Sequence, residues 1–168
     1  EHLAMTESAG MINLSHFAII DVEGPDAECM LEYLSLAKVG GNTPEGRIIY
    51  TNFLDGKGGV HADLTISRLG TDRYRVITGG ADGNRDWVTL RNYRDDNGLK
   101  AVIDIRTHDI ATLGLWGPEA KNALGHFVDP NEISIENFPF ATAKYLTLNL
   151  SGGKTIDVWA ARISYVGE

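Results

Sequence analysis

The sequence predicts an α+β fold in which strand–helix units repeat on an antiparallel sheet. Three observations indicate this fold class. Residues 46–69 read as two strands joined by a glycine turn. Residues 22–27 are echoed by residues 115–120, each time where a strand is followed by a helix. Residues 133–165 read as further strands, broken by a hairpin turn at 151–154.

The N-terminal part begins with a helix-like stretch at residues 1–10. Residues 16–22 are predicted to form the first strand, because apolar side chains dominate them. Gly24, Pro25 and Asp26 then favour a helix start, with the proline at the first helical position and an acid just after it. The predicted helix carries apolar residues at helical spacing, namely Ala27, Met30, Leu31 and Leu34.

The central hairpin pairs residues 48–54 with a strand that begins at Val60, and the glycines of residues 55–59 supply the turn. Side chains alternate across a strand, so one face of the second strand is apolar and the other is polar. The apolar face carries Ala62, Leu64 and Ile66, and the polar face carries His61, Asp63, Thr65 and Ser67. The polar face is either an ordinary solvated surface or one wall of a cavity.

The rest of the chain continues the alternation of strands and helices. The predicted elements are a strand at 74–78, a helix opened by 79–83 and running over 85–96, and strands at 101–106 and 111–116. The glycines at 79–83 do not form a dinucleotide-binding fingerprint, because Ala81 stands where the second glycine belongs. We interpret this segment as a plain strand-to-helix turn.

Length and composition bound the class of protein. The 168 residues, 43% of them hydrophobic, suit a single globular domain. A net charge of −8 and scattered basic residues argue against a nucleic-acid partner, since phosphate backbones require basic clusters. No apolar run approaches the roughly 20 residues that cross a bilayer, so no membrane partner is expected. The lone Cys29 excludes an intrachain disulfide and is expected to be buried in the helix packing.

Both ends of the sequence suggest a piece of a longer chain. Residues 163–168 are strand-like almost to the last position, and residue 1 already lies in a helix-like stretch. We therefore expect residues 1–168 to be a fragment of a longer enzyme that ends within the sheet of a single domain.

Further motifs follow one another along almost the whole chain, in the two Gly-Pro helix starts and in residues 1–16, 46–50, 58–64, 116–120 and 164–168. In this order they resemble the folate-binding domain of the glycine-cleavage T-protein (aminomethyltransferase) family. Thr65 and Ser67, after Asp63, make the hairpin more similar to the C-terminal folate domains of dimethylglycine and sarcosine dehydrogenases. The resemblance implies a truncated folate-binding domain of the T-protein type, with residues 1–168 as its N-terminal part.

The resemblance also implies a tetrahydrofolate site and transfer of a one-carbon unit. Asp63 matches the family acid beside the reacting N5 and N10 of the folate, which makes it the implied catalytic residue. A carboxylate there can orient the amine, stabilise developing positive charge and take up a proton. Tyr50 and Tyr165 match aromatic positions that line the folate pocket, and Thr78 lies near a further pterin contact.

The implied partners are small molecules and other protein modules. The donor would be a small N-methyl amine or an aminomethyl compound, and a carrier protein or a fused flavin domain would accompany it. FAD would belong to that flavin domain, because this chain has no dinucleotide motif. The implied location is the cytoplasm, or the mitochondrial matrix if the source is eukaryotic. No metal site is predicted, because His61, His108 and His126 lack carboxylate or cysteine neighbours at ligand spacing.

The chain departs from the family pattern at Asn13 and Ala62, where an aspartate is usual, and at Val166, where a threonine is usual. The family's pterin-anchoring glutamate, a functional arginine and a C-terminal β-domain are not among the 168 residues. Three alternatives remain open: demethylation of an O- or S-methyl donor with folate, a folate-binding regulatory or maturation protein, and a structural domain that has lost its chemistry. The maturation proteins carry K-G-C-x-x-G-Q-E, whereas residues 164–168 lack the cysteine.

Overall fold

The computed structural model describes residues 2–164, which divide into two compact units. The central unit is Leu14–Thr112, and the terminal unit combines the described residues up to Asn13 with those from Leu113 onward. The elements in chain order are α1 (His2–Glu7), β1 (Gly10–Asn13), β2 (Ala18–Glu23), α2 (Ala27–Leu34), β3 (Ile48–Leu54), β4 (Val60–Gly70), β5 (Arg73–Thr78), α3 (Gly83–Asp96), β6 (Val102–Ile105), β7 (Leu113–Trp116), α4 (Ala120–Leu124), β8 (Thr142–Leu150), a 3-10 turn at Ser151–Gly153, and β9 (Lys154–Arg162).

The central unit is built on a five-stranded antiparallel sheet with the strand order β3–β4–β5–β2–β6. Strand β5 lies between β4 and β2, so Val76 is opposite both Ile66 and Ile20. These three side chains are buried in one cluster with Met30 of α2 and Leu90 of α3. Burying an apolar side chain of this size contributes roughly 1.5–3 kcal/mol, so this face of the sheet is the main source of stability in the unit.

The two strand–helix turns that the sequence predicts to be alike share a positive-φ glycine and the same backbone hydrogen bond. Gly24, between β2 and α2, has a φ of 140°, and Gly117, between β7 and α4, has a φ of 106°. Both values lie where residues with a Cβ are strained. Each glycine carbonyl accepts the N–H of the alanine three residues later, Ala27 or Ala120, at 3.0 Å. The predicted repetition of strand–helix units is confirmed.

Helix α2 begins two residues later than expected. Its first residue is Ala27, and Pro25 lies in the preceding turn, so the placement of the proline at the first helical position is wrong. The Asp26 carboxylate accepts the backbone N–H of Lys100 at 2.7 Å and makes no cap hydrogen bond to the helix. The acid thus joins the helix start to the segment that leads into β6.

The terminal unit holds two antiparallel pairs, β1 with β7 and β8 with β9. Leu146 of β8 packs against Ile133 and Phe138, which lie in turns before the strand begins. The prediction that strand structure starts at residue 133 is therefore wrong up to residue 141. The apolar residues of that segment cover the hairpin as a loop and do not pair as a strand.

Two smaller differences concern the N-terminal half. Strand β1 was not predicted, because four residues carry too short a pattern to recognise. Cys29 is exposed, which corrects the expectation that it is buried, and its Sγ donates to the carbonyl of Asp26 at 3.2 Å. None of the helices within residues 2–164 is long and apolar enough to cross a membrane.

Candidate functional site

The turn that joins β3 and β4 is stabilised by one carboxylate that accepts two backbone N–H groups. Asp55 Oδ1 accepts the N–H of Gly59 at 2.9 Å and that of Lys57 at 2.8 Å. These two N–H groups, first that of Gly59, hold the pKa of Asp55 below its usual value. Gly58 completes the turn with a φ of 81°. The turn thereby fixes the register of the two strands.

Asp63 and Tyr50 meet on the outer face of this hairpin. Asn52 is directly opposite Asp63, and Tyr50 lies two residues before Asn52, which puts the tyrosine diagonal to the aspartate. The phenolic hydroxyl of Tyr50 donates a hydrogen bond to Asp63 Oδ2 at 3.0 Å. The neighbours Ala62 and Leu64 are buried on the other face, as alternation predicts. The structure therefore brings two of the predicted site residues together.

Both members of this pair are open to solvent. Tyr50 is 67% exposed, and Asp63 is also exposed. A carboxylate can accept several hydrogen bonds, so the bond from Tyr50 orients it and leaves capacity for a further donor. The pair offers a flat apolar ring beside a proton acceptor, an arrangement that suits a planar ligand bearing N–H groups.

Thr78 lies on the other face of the sheet. It is directly opposite Leu64, whose side chain points into the core. The Thr78 hydroxyl donates to Asp86 Oδ2 of α3 at 2.6 Å, and the two residues are 2% and 0% exposed. The structure thus does not bring the Thr78 side chain to Asp63. Tyr165, the remaining predicted contact, lies outside the described residues.

His61 departs from the predicted alternation. The pairing shifts between Phe53 and Leu54, so His61 has no partner opposite it in β3. Its Nε2 lies 3.2 Å from Thr89 Oγ1 of α3, and that hydroxyl donates to the carbonyl of Arg85 at 3.0 Å. The expectation that His61 shares the outer polar face is therefore wrong. Within residues 2–164, no group of three or more His, Cys, Asp or Glu side chains is placed to hold a metal ion.

The face that carries Asp63 also holds an ion pair that sequence reasoning missed. Arg75 of β5 donates to both carboxylate oxygens of Asp21 on β2, at 2.7 and 2.8 Å. Ser67, opposite Arg75 in β4, is buried, and its hydroxyl has no hydrogen-bond partner among the described residues. Alternation can assign each residue to a face, but Asp21 and Arg75 are 54 residues apart and no local signal predicts their pairing.

Two glutamates of α2 that line a surface groove hold a neighbouring loop. Glu32 accepts the N–H of Gly40 at 2.7 Å. Glu28 accepts the N–H of Gly41 at 3.0 Å and the hydroxyl of Tyr74 at 2.8 Å, and these bonds, in that order, lower the pKa of Glu28. Burial, and then the bond to Glu28, raise the pKa of the Tyr74 phenol. We assign a structural role to these carboxylates.

Comparison with known proteins finds one matching family model and several curated relatives. A family model described as the GCVT N-terminal domain matches residues 1–168. The mitochondrial sarcosine dehydrogenase of Mus musculus is 30% identical over 181 residues, which cover 100% of this chain and 19% of that protein. An aminomethyltransferase of Cupriavidus taiwanensis is 33% identical over 178 residues, which cover 100% of this chain and 46% of that protein. The chain spans less than half the length of these relatives.

A solved structure supports the same fold. The crystal structure of the glycine cleavage system aminomethyltransferase T from Bartonella henselae matches 95% of this chain and 44% of that chain, with a TM-score of 0.71 and 21% identity. This likeness confirms the predicted fold class, an α+β arrangement on antiparallel sheets.

Proposed function

The chain belongs to the GCVT N-terminal domain family, and on that premise we propose that it forms the folate-binding part of an enzyme that transfers a one-carbon unit from an amine donor to tetrahydrofolate. The observation that carries the proposal is the pairing of Tyr50 with Asp63 at 3.0 Å on an exposed face. The names of two relatives, sarcosine dehydrogenase and aminomethyltransferase, support an amine donor. Tetrahydrofolate, when bound, supplies the amine nitrogen that accepts the one-carbon unit.

Tyr50 provides a flat surface for a planar ring system. Its side chain is 67% exposed, and its hydrogen bond to Asp63 holds it in one orientation. A ring that stacks on a side chain already oriented in this way buries apolar surface at a small cost in conformational entropy. Tyr165 is proposed as a further folate-binding residue, on the match of residues 164–168 to the family motif.

Asp63 is the proposed catalytic residue. Its carboxylate accepts an N–H from the reacting amine and takes up the proton that this amine loses as the new bond forms. The same negative charge stabilises the positive charge that develops near the donor carbon. General-base action of this kind contributes typically about 10²–10⁴-fold in rate. The bond from Tyr50 keeps the carboxylate aimed at one place and therefore contributes to positioning.

Thr78 contributes indirectly in this proposal. Its bond to Asp86 fixes the end of β5 beneath α3. Strand β5 is paired with β4, the strand that carries Asp63. Thr78 is therefore proposed as a positioning residue for the site, in place of the direct pterin contact that the resemblance implies.

The proposed donor is a small N-methyl amine or an aminomethyl compound. Oxidation of an N-methyl amine requires an electron acceptor, so a separate domain holding FAD is the proposed partner for that donor. A carrier protein is the proposed partner for an aminomethyl group. The mouse relative is named as mitochondrial, which supports the mitochondrial matrix as the location if the source is eukaryotic. The cytoplasm is proposed otherwise.

Anaerobic calorimetric titration of the protein with tetrahydrofolate tests this proposal. We expect saturable binding that weakens at least about tenfold in Asp63→Asn, because a hydrogen bond to a charged group is lost. Asp104→Asn is a matched control, since Asp104 is an exposed aspartate on another strand of the same sheet. Absence of saturable binding in the wild-type protein, or equal weakening in both variants, would contradict the proposal.

A further inference from the structure

A second cluster, on β8 and β9 of the terminal unit, repeats the layout of the site described above. Thr147 lies directly opposite Asp157, and Tyr145 lies directly opposite Trp159. A tyrosine therefore again stands two residues before the partner of an aspartate, on one face of an antiparallel pair. Leu146 and Val158, between these residues, pack into the core of the unit. The four residues of the cluster thus share the outward face.

In this cluster the carboxylate of Asp157 accepts a hydrogen bond from a threonine, and not from the tyrosine as Asp63 does. Thr147 Oγ1 donates to Asp157 Oδ1 at 2.6 Å. The orientation of Asp157 therefore does not depend on Tyr145, which is 69% exposed. Trp159, opposite it, is partly buried. This arrangement presents an exposed phenol ring and part of an indole beside an oriented negative charge.

Charge on this face has one sign. The basic residues of the two strands lie on the opposite face, where Lys144 donates to the carbonyl of Glu132 at 2.6 Å and Arg162 donates to that of Ser134 at 3.3 Å. In these two strands, both described over their full length, Asp157 is the one charged residue on the outward face. By alternation this face carries Tyr145, Thr147, Asn149, Thr155, Asp157, Trp159, Ala161 and, at its end, the buried Ala143.

Aromatic rings beside one carboxylate select a cation. The face of an aromatic ring attracts positive charge, most strongly for tryptophan. Methyl groups on the cation favour the rings further, because their contact with the rings removes apolar surface from water. We propose that the outward face of β8 and β9 binds a small methylated ammonium ion, with Tyr145 and Trp159 against its methyl groups and Asp157 as the counter-charge. A role for this ion as the amine donor rests on the proposed function.

Titration with tetramethylammonium chloride, followed by NMR of the Trp159 indole N–H, tests the site. The chain has three tryptophans, so Trp159→Phe assigns the resonance. We expect a saturable shift with a dissociation constant on the order of 10 mM, as for a few weak contacts at an open surface. Asp157→Asn should weaken binding about fivefold, as for loss of an exposed ion pair. Tyr145→Leu should weaken it as well.

Three controls keep the result specific. Sodium chloride at the same concentration controls for ionic strength, and tert-butanol matches the size of the probe without its charge. Asp129→Asn changes an exposed aspartate outside the hairpin and should leave the affinity as in the wild type. An unsaturable shift, an equal response to tert-butanol, or equal affinity in Asp157→Asn and the wild type would overturn the proposal. The samples contain no folate, so the outcome is independent of the folate-binding proposal.

Discussion

An exposed carboxylate that is bound by one phenol contributes little to the stability of the fold. Asp63 is exposed, and Tyr50 is 67% exposed. Substitution of either residue is therefore expected to change the free energy of unfolding by less than about 0.5 kcal/mol. At this site, effects on ligand binding can be measured without an accompanying loss of folded protein.

Thr78 is the opposite case, because its hydroxyl is buried against a buried carboxylate. We predict that Thr78→Val lowers the free energy of unfolding by about 2 kcal/mol, since Asp86 loses a hydrogen bond that it cannot replace with water. Urea denaturation measures this loss, and Thr78→Ser, which keeps the hydroxyl, is the matched control. Unchanged stability together with lost folate affinity would contradict the positioning role and restore a direct contact with the ligand.

The strand–helix turn is the element that both units share, and its glycine tolerates no side chain. A Cβ at Gly24 would lie 2.4 Å from the carbonyl of Lys100, at a φ of 140°. We predict that Gly24→Ala lowers the free energy of unfolding by about 2 kcal/mol or more, as measured by urea denaturation. Gly56→Ala is the control, because a Cβ there meets nothing within 4 Å. Equal stability of Gly24→Ala and Gly56→Ala would show that the turn accommodates a Cβ at residue 24 and would contradict the prediction.

Because a carboxylate of α2 anchors the neighbouring loop, we expect the stability of the protein to depend on pH. The pKa of Glu28 is lowered from its usual 4.5, so its contribution is complete above that pH and is lost as the pH falls through the folded-state pKa. We predict that the wild type loses more stability than Glu28→Gln between pH 7 and 3. Urea midpoints across this range measure the difference. Asp55 and Glu136, whose pKa values are also lowered, are present in both proteins. If the stability of the two proteins fell in parallel between pH 7 and 3, the proposed contribution of the Glu28 carboxylate to stability would be contradicted.

Elements with local signals could be predicted from the sequence. The glycine turn predicts the hairpin of β3 and β4, and Gly98, with a φ of 62°, marks the end of α3. Alternation then places Asp63 correctly on the outer face. Alternation assigns His61 to the wrong face, because a β-bulge leaves this residue without a partner in β3 and the sequence pattern does not reveal the bulge. The face of Thr78 depends on where β5 pairs, which has no local signal.

At the scale of the whole molecule, the fold class was predictable because its repeated turns are encoded locally. The pairing of β1 with β7 joins Gly10 to Trp116, and such a distant contact leaves no pattern within either strand. The proximity of Tyr50 and Asp63 could be predicted from local patterns, because the two residues lie on the two arms of one hairpin, while their role in a site stays a prediction. The pairing of Arg75 with Asp21 was missed, because it joins strands that are far apart in the sequence.

The central claim is that Tyr50 and Asp63 act together as one folate-binding unit. A double-mutant cycle for tetrahydrofolate affinity, with Tyr50→Phe, Asp63→Asn and the double variant, tests it most directly. Because the two groups share a hydrogen bond, we predict that the double variant binds no more than about threefold more weakly than the worse single variant. Fully additive losses, or a single variant that binds as tightly as the wild type, would contradict the claim.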